Sequence, residues 1–371
     1  MSVPSASSPR IERVRVSAHT VPTDSPESDG TYAWDSTTVV VVEADSDGRT
    51  GVGYTYTDAT AAGLIEQRLA DVVEGGDALA VRRARTAMLR AVRNIGRPGL
   101  VSNAISAVDA ALWDLEARLL DLPLATLLGR VHDDVAVYGS GGFTSYDIGR
   151  LRDQMDGWTA EGIRRVKMKV GREPARDRER VAAVRETVGP DVDLFVDANG
   201  AYGRKQALAF AVEFAELDVS WFEEPVASDD LDGLRLLRDR APAGMEIAAG
   251  EYAWDLGGFR RLLDAGAVDV LQADATRCGG ITGFLDAATL CDAAGVPLSA
   301  HTAPALHLHP CSAAERVRHI EYFHDHAQIE RHYFDGAPRP VDGRLRPDTS
   351  RPGNGLTFLR DAAERDRVEP W

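Results

Sequence analysis

Side chains suited to proton transfer and cation binding recur through the second half of this sequence at intervals of one structural unit. Lys169, Asp197, Glu223, Glu251, Asp274, His301 and Glu321 follow one another at steps of 28, 26, 28, 23, 27 and 20 residues. Asp197, Glu223 and Glu251 form an all-oxygen donor set. Such a set suits a hard cation that keeps open positions, Mg²⁺ first and Mn²⁺ second, rather than zinc, which favours His or Cys. A single carboxylate after a strand is more often a helix cap. Three in consecutive units, each ending an apolar run, favour the ligand reading. Asp274 and His301 make a pair in which the carboxylate holds the imidazole's tautomer and raises its basicity.

Lysine occurs three times among 42 basic residues, and two of the three stand one residue apart in Val166-Lys167-Met168-Lys169-Val170. Alternation along a strand sends both amines to one face. An amine beside another cation can lose its proton, which a guanidinium cannot. Lys167 is therefore expected to serve by its charge. Lys169 is expected to serve as a titratable amine, its pKa lowered by Lys167 and the cation. Lys205, after the Asp197 run, reads as a surface residue. In Glu223-Glu224-Pro225, alternation lets only one glutamate face the same site as the lysines.

These residues need a scaffold that brings distant strand ends together. Apolar strand candidates occur at 135–138, 165–170, 193–197, 219–223, 246–250, 268–273, 297–300 and 318–321, separated by helical stretches such as 175–188, 204–217 and 281–294. Eight alternating units predict an α/β fold of the (β/α)8 barrel type, whose strand ends ring one mouth. A doubly wound open sheet is the alternative, but no GxGxxG follows a first strand. Before residue 131 the pattern differs, with strands at Ile11–Ala18, Thr37–Ala44 and Gly51–Thr57 and a hairpin turn within Ala44–Gly48. Helical patterns follow near 59–73, 79–93 and 103–119, the last with Ser102-Asn103 as its expected cap. The chain thus divides into an α+β cap (10–130), a barrel (131–335) and a C-terminal return to the cap (336–371).

Composition narrows the function further. A net charge of −16 is unsuited to nucleic acid. No run of 18 apolar residues predicts a membrane span, and no leader pattern is seen at the start. Cys278, Cys291 and Cys311 lack paired spacing and fit a reducing cytoplasm. The first ten residues read as a disordered tail. The acidic, lysine-poor surface fits either a saline cytoplasm or a GC-rich genome.

The ordered motifs resemble the enolase superfamily and, within it, the mandelate racemase subgroup. They are Lys167-Met168-Lys169, Asp197-Ala198-Asn199, Glu223-Glu224-Pro225, Gly250-Glu251, Asp274 with Arg277-Cys278-Gly279-Gly280-Ile281-Thr282-Gly283, and His301, preceded by Leu127-Leu128-Gly129. The resemblance implies Mg²⁺ on Asp197, Glu223 and Glu251. It implies bases on opposite substrate faces at Lys169 and at the His301–Asp274 pair, and a hydrogen bond between Glu321 and the intermediate. The superfamily's chemistry removes a proton alpha to a carboxylate through an enediolate. Asp274 stands where enolase itself and the muconate cycloisomerases carry a lysine. For His307, His309, His319, His324, His326 and His332, core, loop or helix-face roles are expected, and their spacing matches no zinc pattern.

The cap segments 19–35 and 51–58 are rich in Asp, Ser, Thr, Tyr and His, as a polyol substrate requires. Dehydration of a sugar acid (aldonate or aldarate) to a 2-keto-3-deoxy acid is the favoured reaction, with racemisation or epimerisation of a 2-hydroxy acid the alternative. A catalytically idle relative is disfavoured, since every catalytic position is intact. Asn199, Trp34 and Tyr54 are the expected substrate contacts, although the aromatic pair could equally pack the cap's own core. The expected partner is a small carboxylate, and the expected assembly a homo-oligomer.

Overall fold

The computed structural model describes residues 8–369. Residues 1–7 of the expected N-terminal tail lie outside the described residues. Strands β1 (Arg13–Ser28), β2 (Ala33–Ser46) and β3 (Arg49–Tyr56) form an antiparallel sheet. Asp47 and Gly48, both at positive φ, turn β2 into β3, the geometry that a two-residue hairpin of right-handed twist requires. The run Val39–Val42 is buried throughout because both faces of this sheet are covered. Val40 and Val42 join the core beneath the cap helices, while Val39 and Val41 join the barrel core. Gly53 lets β3 lie directly on the helix Leu100–Leu119; a Cβ there would stand 2.3 Å from the backbone at Ala107 and Ala111.

That helix does not begin at the expected Ser102-Asn103 cap. It starts at Leu100 after Gly99, and both residues lie buried inside it, Ser102 donating its hydroxyl to the Trp254 carbonyl. Polar side chains facing another element here outweigh their preference for caps. The helical stretch 60–73 contains a π-turn at Ile65–Leu69.

The barrel strands are β4 (Val135–Gly141), β5 (Arg165–Lys169), β6 (Asp193–Asp197), β7 (Val219–Glu223), β8 (Glu246–Ala249), β9 (Val270–Ala273), β10 (Leu298–Ala300) and β11 (Val317–Phe323). All are parallel neighbours in chain order, and β11 pairs with β4 to close the ring. Alternation sorts their side chains. Leu194, Val196, Phe222, Val166 and Met168 face the surrounding helices, while Tyr138, Phe195 and Trp221 close the barrel floor. Above that floor stand Lys167, Lys169, Asp197 and Glu223.

The tail after residue 335 divides between the two layers. Arg344–Leu345 pairs with β4 of the barrel, and Arg367–Val368 adds a strand to β1 of the cap. No described helix is long and apolar enough to cross a membrane.

Candidate active site

Each reactive side chain stands at or just beyond the C-terminal end of a barrel strand. Lys167 Nζ is fully enclosed, 2.6 Å from Glu223 Oε1, 2.8 Å from Glu321 Oε1 and 3.5 Å from Asp197 Oδ2. Lys169 Nζ lies 2.5 Å from Asp197 Oδ2. Both amines do share one face, as the alternation requires. The lowering expected for the Lys169 pKa needs Lys167 and the cation on Asp197 together. Burial and Lys167 act in that direction, but the carboxylate of Asp197 outweighs them and holds the ammonium above its ordinary range.

Asp197, Glu223 and Glu251 bring one carboxylate oxygen each within 4.8 Å of one another, all three side chains buried. Glu251 lies one residue past Gly250, whose φ of 136° and approach to Gln272 exclude a side chain; a Cβ would meet the Gln272 carbonyl at 2.2 Å. Glu251 Oε2 is buried without a hydrogen-bond partner: His301 Nε2 stands 3.1 Å away, but off hydrogen-bond geometry. Burial and then the neighbouring Asp197 push Glu223 up to about 8, against the pull of Lys167. Three converging carboxylates with an orphaned buried oxygen fit a divalent cation, whose charge would offset a cost that two lysines leave unmet.

Across the mouth, His301 Nδ1 lies 2.8 Å from Asp274 Oδ2, and Asp274 Oδ1 accepts from the Thr276 amide. This fixes the ring with Nε2 towards the cavity. Burial opposes a charge on His301, yet Glu251 and Asp274 outweigh it and lift the imidazole to about 10. Glu321 accepts from Ser140, Lys167 and the Thr302 amide, and Lys167 holds it down to about 2 despite its burial. Four residues just past these strands, Asn199, Glu224, Thr302 and Ala303, adopt positive φ without being glycine. Strain of this kind concentrates where function over-determines the backbone.

A cavity of about 450 Å³ opens above these groups, roofed by the cap. Lys169, Asn199, Glu251, His301, Glu321 and Trp34 line it directly, while Lys167, Asp197, Glu223 and Asp274 lie buried behind them. The side-chain oxygen of Asn199 has no partner. Trp34 presents its ring, its indole N–H being directed to Glu27 at 3.1 Å and Asp325 at 3.4 Å. Tyr54 is the misplaced substrate contact. It is fully buried at the seam of cap and barrel, donates to Glu330 Oε1 at 2.6 Å and stacks on Phe334. Glu224 is buried with one orphaned oxygen.

Arg277, Asp325 and His326, for which no site role was expected, also stand on the cavity wall. Arg277 lies 3.3 Å from Glu251 and 3.4 Å from Asp274. Asp325 and His326 open the helix His324–Tyr333 directly after β11, the position that a strand-to-helix boundary marks as the barrel's rim. His307, His309 and His319 are buried core residues, as expected for them. His326 is buried on the helix His324–Tyr333, also as expected, and its ring stacks on Tyr56 beside the cavity.

A closed barrel with proton-transfer groups and three carboxylates at its C-terminal mouth, roofed by an α+β cap, defines a class of barrel enzyme that works beside a carboxylate-bound cation. Residues 12–129 match the mandelate racemase/muconate lactonizing enzyme N-terminal domain, and residues 150–362 match the enolase C-terminal domain-like family. The chain belongs to the mandelate racemase branch of the enolase superfamily. It is 34% identical over 356 residues to the 3,6-anhydro-α-L-galactonate cycloisomerase of Streptomyces coelicolor, covering 94% of this chain and 97% of that one. A mandelate racemase/muconate lactonizing enzyme-like protein from Rubrobacter xylanophilus superposes with a TM-score of 0.95 at 57% identity, covering 97% of this chain and 100% of that chain. The L-talarate/galactarate dehydratase of Salmonella typhimurium LT2, solved with Mg and L-lyxarohydroxamate, superposes at 0.91 with 30% identity, over 100% of this chain and 95% of that one. The protein is accordingly an enolase-superfamily enzyme, with acid-sugar chemistry among its relatives.

Proposed function

We propose that this protein removes the proton next to the carboxylate of a sugar acid and expels the β-hydroxyl, giving a 2-keto-3-deoxy acid. The observation that carries this reading is the presence of two separate proton-transfer groups, Lys169 and the His301–Asp274 pair, on one polyol-suited cavity. They stand on β5 and β10, three strands apart by the short way round the barrel. The carboxylate set occupies the longer arc between them.

Asp197, Glu223 and Glu251 would hold Mg²⁺, which when bound supplies Lewis-acid stabilisation to negative charge gathering on the substrate carboxylate. Lys169 Nζ or His301 Nε2 takes the α-proton as an unprotonated base. The group on the other side, when protonated, hands its proton to the departing β-hydroxyl, which leaves as water. The resulting enol ketonises by taking a proton at C3, so the net loss is one water. Asp274 holds the imidazole in the tautomer that aims Nε2 at substrate. Asn199 and Glu321 offer acceptors for substrate hydroxyls on the same wall.

The pair of bases also favours a second reading. Returning a proton from the opposite side, with no loss of water, would make the enzyme a racemase or epimerase of a 2-hydroxy acid.

The test is a panel of acid sugars, including lactones and anhydro acids, with Mg²⁺ present. Keto-acid formation that stops on chelation is the expected result. Inversion at the α-carbon without keto acid would replace dehydration by the second reading. Full turnover after exhaustive chelation would exclude the cation's role.

A further inference from the structure

The cavity's cations all belong to the reacting end. Lys169 is paired with Asp197, Arg277 with Glu251 and Asp274, and His301 with Asp274. The remaining wall is different. The cap brings Asp29 and Asp58, and the rim helix brings Asp325, with Thr37, Tyr56 and His326 also on the wall. No further lysine or arginine lines the cavity among the described residues. The sequence explains why: between Arg15 and Arg49, which spans most of β1 and β2, there is neither lysine nor arginine.

The three carboxylates are built into their places. Asp29 accepts from the amides of Thr31 and Tyr32 at 2.6 and 2.7 Å, and Asp58 from the Thr60 amide at 2.9 Å. Asp325 accepts from Thr37 at 3.3 Å and Trp34 at 3.4 Å, and the acid Glu27 shares the Trp34 indole with it from behind. His326 Nδ1 accepts from the Ala303 amide at 3.3 Å, which leaves its proton on Nε2. With hydroxyls and the His326 Nε2–H as its donors, this wall thus carries three carboxylate acceptors and no lysine or arginine. A hydroxyl can donate to such groups, whereas a carboxylate has only acceptors of its own.

On the sugar-acid reading above, we propose that the substrate is a monocarboxylic sugar acid ending in a hydroxymethyl group, and that Asp325 with Asp29 and Asp58 rejects the corresponding diacid. A second carboxylate would enter a wall of like charge with no free cation to receive it. Rejection by unpaired like charge is a strong source of selectivity. The cavity volume of about 450 Å³ lies in the range of small-molecule sites. The inference separates this chain from its Salmonella relative, a dehydratase of diacids.

The experiment uses the full-length, Mg²⁺-loaded enzyme and matched acids that differ only at the far terminus, such as gluconate with glucarate and galactonate with galactarate. α-Proton exchange with solvent and keto-acid formation are both followed. The best mono-acid should exceed its matched diacid at least 100-fold in kcat/KM. Asp325→Asn should narrow that ratio at least tenfold, chiefly through a lower KM for the diacid. Should that variant fail to fold, Asp58→Asn takes its place and should narrow the ratio severalfold. A parent enzyme that handles the diacid as well as the mono-acid overturns the inference and leaves the sugar-acid reading standing. So does a folded variant with an unchanged ratio. Absence of exchange with every acid of both kinds overturns the sugar-acid reading, and the inference falls with it.

Discussion

The barrel mouth and the cap wall bound one cavity but are built on opposite rules. At the mouth, Lys167, Lys169, Asp197, Glu223, Glu251 and Asp274 are buried and held by ion pairs, each fixed by the end of a short strand. On the cap side, the side chains hang from a long hairpin, and Tyr32 stacks on Trp34 while two-thirds exposed. Charge pairs locked in a closed ring cannot change without leaving an uncompensated buried charge. Groups on a solvated hairpin can. On the proposed reading the mouth sets the reaction, and the cap together with Asp325 of the rim helix sets which acid undergoes it.

The largest predicted effect breaks the mouth. Lys169→Arg keeps the charge beside Asp197 but cannot accept a proton, so turnover should fall about 10³-fold or more with the protein still folded. Steady-state kinetics alongside thermal unfolding checks this; near-parental turnover would contradict it. Lys167→Arg keeps the charge by which Lys167 is expected to serve. The structure encloses Lys167 among three carboxylates above the Tyr138 ring. Overpacking there should cost about 1–3 kcal/mol of stability, measured by denaturant titration.

A smaller effect marks the seam between the two regions. Tyr54→Phe removes the donor to the buried Glu330 and should cost about 1–3 kcal/mol of stability while leaving kcat unchanged. A large fall in kcat at full stability would return Tyr54 to the substrate site. The smallest effect is one of pH. Burial raises Glu330 to about 8, so between its ordinary range and pH 8 the folded state binds more protons than the unfolded one. Stability from this group is present at low pH and declines as pH rises towards 8. Thermal unfolding at pH 5 and pH 8 should therefore show a smaller decline for Glu330→Gln than for the parent.

Much of the mouth was legible because two periodicities coincide there. Period-two alternation fixed the face of Lys167, Lys169, Asp197 and Glu223, and the spacing of one βα unit brought their strands together. Depth along a strand is not carried by either period. Tyr54 and Tyr56 share a face of β3, yet only Tyr56 reaches the cavity. Groups on helix starts and loops, such as Arg277, Asp325 and His326, gave no alternation signal. Ser102 and Asn103 misled because packing against another element overrode their capping preference.

Lys169 and His301 are proposed to act on the same α-carbon from two sides. The most direct measurement is α-proton exchange in deuterated solvent with Mg²⁺, followed by NMR for the parent, Lys169→Ala and His301→Asn. Each variant should lose exchange by about 10²–10⁴-fold on the side its residue serves, with the other side's exchange retained. Exchange at the parental rate in both variants would show that neither residue is the base, and would contradict the account.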